Sequence, residues 1–321
     1  MKPRLFKQVD VFTTTPYRGN PLAVVLDGSG LSTAEMQHFT NWTNLSECTF
    51  LLPPTDQGRA NGADYRVRIF CPGRELPFAG HPTLGSCHAW FEAGGVPRAE
   101  HVVQECGVGL VRLRRDGAFT AGPPPGESAP PRGAATRAAA EPRIAPVRCE
   151  ALGGQGLLAF AAPPLIRSGP LDEGDVQLIA RGLGVAREDI AAHAWCDNGP
   201  NWRGVLLQSA EQVLALRPDG AVLAGLDIGV VGPHPAGSDT QFEVRAFFPG
   251  NNGLAEDPVT GSLNAALAQW LIGAGLAPER YVAAQGTAMA REGRVHIERD
   301  ADGSIWVGGA SVTCIEGQVR L

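Results

Sequence analysis

The feature that most constrains this chain is an internal echo. Tyr65-Arg66-Val67-Arg68-Ile69-Phe70-Cys71-Pro72-Gly73 returns as Phe242-Glu243-Val244-Arg245-Ala246-Phe247-Phe248-Pro249-Gly250, with Arg, Phe, Pro and Gly recurring in step. After one residue of slippage, His81-Pro82-Thr83-Leu84-Gly85-Ser86 falls on Asp257-Pro258-Val259-Thr260-Gly261-Ser262, and an apolar helical run follows each. A duplicated unit of this kind predicts two related lobes, and 321 residues suffice for two cores of ordinary size. The expected lobes are 1–165 and 166–321, with the last strand free to return to the first lobe.

Each copy reads as an extended strand, a glycine-containing turn and then a helix. Pro82 and Pro258 suit the first helical position, where a missing N–H costs nothing, which predicts His81 and Asp257 at the N-caps. If the lobes pack face to face, both helix N-termini point at one cleft. Each offers unpaired backbone N–H groups and the positive end of a dipole, so a small carboxylate is the expected guest.

Composition excludes several alternatives. The chain is 44% hydrophobic and 19% charged, without an apolar run of membrane-spanning length. A net charge of −6 argues against a nucleic-acid scaffold. The N-terminal stretch returns to charged residues before a signal-type apolar core forms, and the seven cysteines are scattered with no C-x-x-C spacing. A reducing cytoplasm with structural thiols is expected. No G-x-G-x-x-G or G-x-x-x-x-G-K-[ST] loop occurs, and no cysteine stands beside histidine at metal spacing; a site without metal or organic cofactor is expected.

Along the chain, Val9–Phe12 and Leu22–Leu26 read as strands around a turn that holds Asn20 at a strand mouth. Ser32-Thr33-Ala34-Glu35 has capping-box form and predicts a helix to about Trp42. Glu47 then stands at the threshold of the strand Cys48–Leu52. Residues 121–150, rich in Pro, Ala, Gly and Arg, read as a surface insertion. A helix over Asp172–Leu183 opens the second lobe, where Asn201-Trp202-Arg203 faintly echoes Tyr17–Asn20. Three short strands close the chain, over Arg294–Glu298, Ser304–Val307 and Ser311–Ile315.

The candidate chemistry gathers near the repeat. Glu47 reads as a general base, because a carboxylate at the start of a buried strand loses hydration and rises in pKa, or else as a rim glutamate with a solvated head. His81 reads as a neutral histidine beside a bound anion, or as a satisfied loop residue. Capping alone accounts for Asp257; its match to His81 across the repeat adds a second acid/base group to the same cleft. Ser262 is placed to hydrogen-bond an anion. Glu75 and Glu256 read as solvated loop carboxylates.

At these residues the chain resembles the phenazine-biosynthesis PhzF-like family of the diaminopimelate-epimerase fold. The resemblance rests on Val9–Phe12, Gly19-Asn20-Pro21-Leu22-Ala23-Val24-Val25, Asn44-Leu45-Ser46-Glu47, Gly80-His81-Pro82-Thr83 and Glu256-Asp257-Pro258-Val259-Thr260-Gly261-Ser262, in the family's order. It implies an α+β fold of two pseudo-symmetric lobes, each a half-open β-barrel around a central helix, usually assembled as a homodimer. It also implies an isomerase acting on a small carboxylate like dihydro-3-hydroxyanthranilate without a cofactor. Glu47 would carry the proton, with His81 and Asp257 assisting and Asn20, Gly80, Gly261 and Ser262 binding substrate. The cysteine pair of the related epimerases is absent: Ala79 and Pro258 stand about where those thiols would be. A racemase or epimerase, and a ligand-binding protein without turnover, are the alternatives.

Overall fold

The computed structural model describes residues 1–116, 156–250 and 253–321. The insertion expected over 121–150 lies outside the described residues. In the first lobe β1 (Pro3–Val11), β2 (Asn20–Val25), α1 (Thr33–Thr43), β3 (Cys48–Leu52), α2 (Asp56–Ala60), β4 (Tyr65–Cys71), β5 (Arg74–Leu76), α3 (Gly80–Glu92), β6 (Val102–Cys106), β7 (Gly109–Asp116) and β8 (Leu157–Ala161) follow in order. The second lobe contains α4 (Glu173–Leu183), β9 (Ile190–Trp195), β10 (Arg203–Leu207), α5 (Ala210–Ala215), β11 (Ile228–Pro233), β12 (Phe242–Gly250), β13 (Gly253–Asp257), α6 (Gly261–Gly273), β14 (Arg280–Gln285), β15 (Gly293–Arg299) and β16 (Ile305–Gly309). The closing strand, β17 (Ser311–Arg320), pairs antiparallel with β1.

The two lobes share one pairing scheme. β1–β2, β3–β4, β6–β7 and β7–β8 are antiparallel and β2–β3 and β4–β6 parallel; β9–β10, β11–β12, β14–β15 and β15–β16 are antiparallel and β10–β11 and β12–β14 parallel. Each sheet therefore curls around its own central helix, α3 or α6. Both helices are apolar on nearly every face, the pattern of a helix enclosed by structure. Their Leu84, Cys87, Leu263, Leu267 and Leu271 pack with Val9, Leu22, Phe160, Val244 and Val295 in one core spanning both lobes. The lobes join where β8 pairs with β16.

The other helices cover the outside. α1 begins as its capping box dictates: Ser32 accepts from the Glu35 N–H and Glu35 accepts from the Ser32 N–H. Its Met36 and Phe39 pack on Ala23, Val25, Phe50 and Phe70. α4 lays Val176, Ile179 and Leu183 on Val205 and Val230 in the same way, and its chain reverses at Gly184, φ +72°.

The helix starts differ from those expected. Phe70 pairs with Glu75 and Phe247 with Glu256, but the hairpins turn after Cys71↔Arg74 and Gly250↔Gly253 respectively, so the second hairpin is longer by two residues in each strand. The true correspondence sets Ala79 on Thr260, the two N-caps, and His81 on Ser262. His81 is thus the second residue of α3 rather than its cap, and Asp257 ends β13 rather than capping α6. Pro258 precedes its helix, and the position matching Ala79 is Thr260.

Gly80 and Gly261 meet where the two helices begin. A Cβ on Gly261 would lie 2.9 Å from the Gly80 Cα and 3.1 Å from the His81 nitrogen, and a Cβ on Gly80 would lie 2.9 Å from the Gly261 Cα. Backbone cannot yield as a side chain can, so Gly261→Ala is expected to destabilise by about 1–3 kcal/mol, read from the urea midpoint. Gly273→Ala, at the other end of α6 with open space around it, is expected to be neutral or to stabilise by up to about 1 kcal/mol.

Candidate active site

Glu47 arrives at the cleft through a turn. α1 ends at Asn44 in the left-handed region, φ +57° and ψ +25°, and four residues later the chain enters β3. Cys48 faces outward into the α1 cluster. Strand alternation directs Glu47 the other way, towards the start of α3. There its Oε2 lies 3.4 Å from His81 Nε2, with the side chains only 17% and 5% exposed.

Asn20 ties the two lobes at this point. Its amide nitrogen donates to Asp257 Oδ1 at 3.0 Å and to the Val259 carbonyl at 2.8 Å, and stands 3.3 Å from His81 Nδ1. Both amide hydrogens go to Asp257 and Val259, and an amide nitrogen cannot accept a hydrogen bond, so the Nδ1 facing it carries no proton and the imidazole proton rests on Nε2, facing Glu47. Asn20 is itself placed by the preceding turn. Asp10 Oδ2 accepts from the Gly19 N–H at 2.9 Å, and Arg291 donates to the Gly19 carbonyl at 3.1 Å.

Asp257 is held from its own lobe as well. Thr260 Oγ1 donates to Asp257 Oδ2 at 2.6 Å, and Gln285 Nε2 donates to the Asp257 carbonyl and to Thr260 Oγ1. Gln285, fully buried on β14, also accepts from the Thr260 N–H and from Asn264. Trp202 Nε1 donates to Ser262 Oγ at 3.2 Å and Asn198 donates to the Ser262 carbonyl at 2.8 Å.

Burial sets the charges. Loss of water pushes Glu47 up to about 8, with the nearby Asp257 carboxylate adding to the rise. Burial raises Asp257 to about 6 against the pull of its Thr260 and Asn20 hydrogen bonds, and lowers His81 to about 3, keeping the imidazole neutral. Glu47 Oε2, His81 Nε2 and Asn20 Oδ1 are all buried without a hydrogen-bond partner. Three orphaned polar atoms converging between two helix N-termini are what a site requires when its polar ligand completes the network.

The sequence-based candidates divide clearly. Glu47, His81, Asp257 and Asn20 form one contiguous cluster, while Gly80 and Gly261 form the contact between the helix starts beside it. Ser262 matches His81 in the opposite lobe. Glu256 is no solvated loop residue: it lies on β13 and takes a two-pronged pair from the buried Arg245, 2.8 Å on each side. Glu75 lies on β5 and accepts twice from Arg68. Sequence reading missed Thr260, Gln285 and Asn198; only the echo at Asn201-Trp202-Arg203 pointed to Trp202. The cysteines are free thiols among the described residues, and burial pushes Cys48 up to about 11 and Cys87 and Cys196 up to about 12, away from reactivity. Among the described residues no group of three His, Cys, Asp or Glu is placed to hold a metal ion, and no helix is long and apolar enough to cross a membrane.

Similarities to known proteins converge on one family. The family described as phenazine biosynthesis-like protein, PhzC-PhzF, matches residues 9–317. Antisense-enhancing sequence 1 of Schizosaccharomyces pombe is 32% identical over 99% of each chain, and the trans-2,3-dihydro-3-hydroxyanthranilate isomerase of Pseudomonas aeruginosa is 28% identical over 98% of each. The Bacillus anthracis phenazine biosynthesis protein of the PhzF family superposes with a TM-score of 0.74 at 20% identity, covering 100% of both chains. A hydroxyproline epimerase of Agrobacterium vitis shares the fold at a TM-score of 0.54 and 14% identity, over 99% of this chain and 92% of that one. The two-lobed α+β fold is that of the epimerases.

The raised Glu47 has a consequence for stability. A carboxyl whose folded pKa lies above its ordinary 4.5 stabilises the folded state fully below pH 4.5, and that contribution is lost as pH rises through about 8. Glu47→Gln is therefore expected to gain on the wild type between those limits. The gain should reach the order of a few kcal/mol by pH 9, measured by urea unfolding at both pH extremes.

Proposed function

Since the chain belongs to the phenazine biosynthesis-like (PhzC-PhzF) family, we propose that it is an isomerase that moves a proton between carbons of a small carboxylate related to dihydro-3-hydroxyanthranilate. The observation that carries the reading is Glu47, raised to about 8 and facing the neutral His81 with a buried, unpaired oxygen. A base near neutrality can take a proton from carbon and return it, because it is neither too weak to accept nor too strong to release. The printed name of the Pseudomonas aeruginosa relative supports the substrate class.

In this proposal the substrate carboxylate sits at the abutting starts of α3 and α6, against first-turn N–H groups that no helical carbonyl can satisfy. Both helix dipoles and the Ser262 hydroxyl favour it. A carboxylate so held has part of its charge stabilised, which acidifies a ring C–H conjugated with it as negative charge develops. Ionised Glu47 takes that proton. His81, donating from Nε2, and Asn20, accepting at Oδ1, bind the substrate's polar groups, and Glu47 delivers the proton to the second carbon. Asp257 holds Asn20 and keeps Glu47 basic by its charge. The same membership carries the expectations of a homodimer in the cytoplasm and of catalysis without a cofactor.

The test is ¹H NMR of trans-2,3-dihydro-3-hydroxyanthranilate in D₂O. Glu47→Gln is expected to lower kcat/KM by about 10²–10⁴ with the fold intact, as loss of a general base does. A variant as active as the wild type would refute Glu47 as the proton carrier. Because Glu47 acts as its carboxylate, kcat/KM should rise with pH along an acid limb whose midpoint lies near 8. His81→Ala should lower kcat/KM without moving that limb to the ordinary carboxylate range, since burial rather than His81 raises Glu47.

A further inference from the structure

The second residue of each central helix is addressed in the same way from its own lobe. In the first lobe the amide nitrogen of Asn20, which opens β2, stands 3.3 Å from His81 Nδ1 and cannot accept a hydrogen bond from it, so the imidazole proton lies on the far side. In the second lobe Trp202, the residue before β10, sets its indole nitrogen 3.2 Å from Ser262 Oγ. An indole N–H only donates, so Oγ is the acceptor and the hydroxyl hydrogen must point elsewhere. Among the described residues that hydrogen meets no acceptor.

The Trp202 donor is not free to turn away. Its side chain belongs to the core shared by both lobes, and the residue is 4% exposed. The loop that carries it is braced: Asp197 Oδ1 accepts from the Gly199 N–H at 2.8 Å and from the Asn201 N–H at 3.1 Å, and the Cys196 N–H donates to the Trp202 carbonyl at 2.8 Å. From the same loop Asn198 Nδ2 donates to the Ser262 carbonyl at 2.8 Å, so the side chain and the backbone of Ser262 are both held.

We propose that Trp202 is a positioning residue of the site: its indole N–H fixes the Ser262 hydroxyl as a donor, so that the second lobe holds the substrate carboxylate while the first lobe carries the proton chemistry. The inference rests on the proposed carboxylate substrate and says how that substrate is oriented. Of the two polar hydrogens so directed, the one on His81 Nε2 faces Glu47 Oε2, 3.4 Å away. The one on Ser262 stands in the first turn of α6, beside N–H groups that no helical carbonyl can satisfy. A carboxylate bound there accepts from both, and leaves Glu47 and His81 to the reacting part of the molecule.

A buried indole N–H usually finds an acceptor in any case, so the experiment must separate positioning from packing. A double-mutant cycle on substrate affinity does so, with trans-2,3-dihydro-3-hydroxyanthranilate as the probe. Trp202→Phe, which removes the donor and keeps a buried ring, is expected to raise KM about 3–10-fold while kcat stays within about twofold and the acid limb of the pH profile does not move. On a Ser262→Ala background the same change should leave KM within about twofold, because no hydroxyl remains to be aimed. Benzothienylalanine at position 202, with sulfur in place of the indole N–H and the same outline, should reproduce Trp202→Phe with the fold intact by circular dichroism. A KM unchanged by either replacement, or raised equally with and without the Ser262 hydroxyl, overturns the inference and leaves the Glu47 reading standing. If the wild type binds the probe without turning it over, the isomerase reading falls, and the same cycle, read as Kd by calorimetry with the same expected factors, decides the role of Trp202. A folded wild type that neither binds the probe nor turns it over overturns both.

Discussion

Everything at the centre of this molecule depends on two backbones touching. Gly80 and Gly261 meet so closely that one methyl group on either would collide with the other's backbone, and this contact lets two enclosed helices begin at the same place. Two helix starts so close would repel through their like-signed dipole ends, with several N–H donors left without acceptors. The fold tolerates this because the apolar bodies of α3 and α6 are clasped by their own sheets in one common core. An anion between the starts relieves both the repulsion and the unmet hydrogen bonding. That is the physical basis of the carboxylate site proposed between these helix starts.

The carboxylates follow the same logic with opposite sign. Glu47 and Asp257 are brought together with little water, and Asn20 spans the lobes to bond Asp257 while leaving its own oxygen unpaired. Two close carboxylates share the cost of ionising unequally, so one ionises at about 6 while the other keeps its proton to about 8. Asp257, with donors on both oxygens, takes the ionised role. Glu47, with none on Oε2, takes the proton-holding role. Secondary contacts from Gln285 and the Asp10-anchored turn hold these positions.

Much of this was legible in the residues. The repeat gave two lobes, Ser32 and Glu35 gave the start of α1, and Glu47 was recognisable as a carboxylate at a buried strand mouth. Register across the hairpins was not. The matching Pro-Gly pairs drew the alignment onto Asp257 for His81, whereas the additional pairs of β12–β13 move Ser262 into that place. The difference in hairpin length is hidden because Pro72-Gly73 form the first turn while the matching Pro249-Gly250 still belong to strand β12. Gln285 was equally hidden: a lone glutamine on a strand carries no pattern, and only its burial beside Thr260 and Asn264 shows what it does. Glu256 was misread for the complementary reason, since its partner Arg245 lies on the neighbouring strand.

The closing strand bears on how the chain comes to be folded. β17 lies along β1 in antiparallel register from Pro3↔Arg320 to Val11↔Ser311, broken only where the register shifts between Gln8 and Val9. The β1 edge therefore waits for β17 before it is covered. Domains commonly complete themselves in order of synthesis, but here the first lobe stays open on one side until β17 has been made. Such an edge, unpaired while the whole second lobe is synthesised, is a surface a chaperone would have reason to hold.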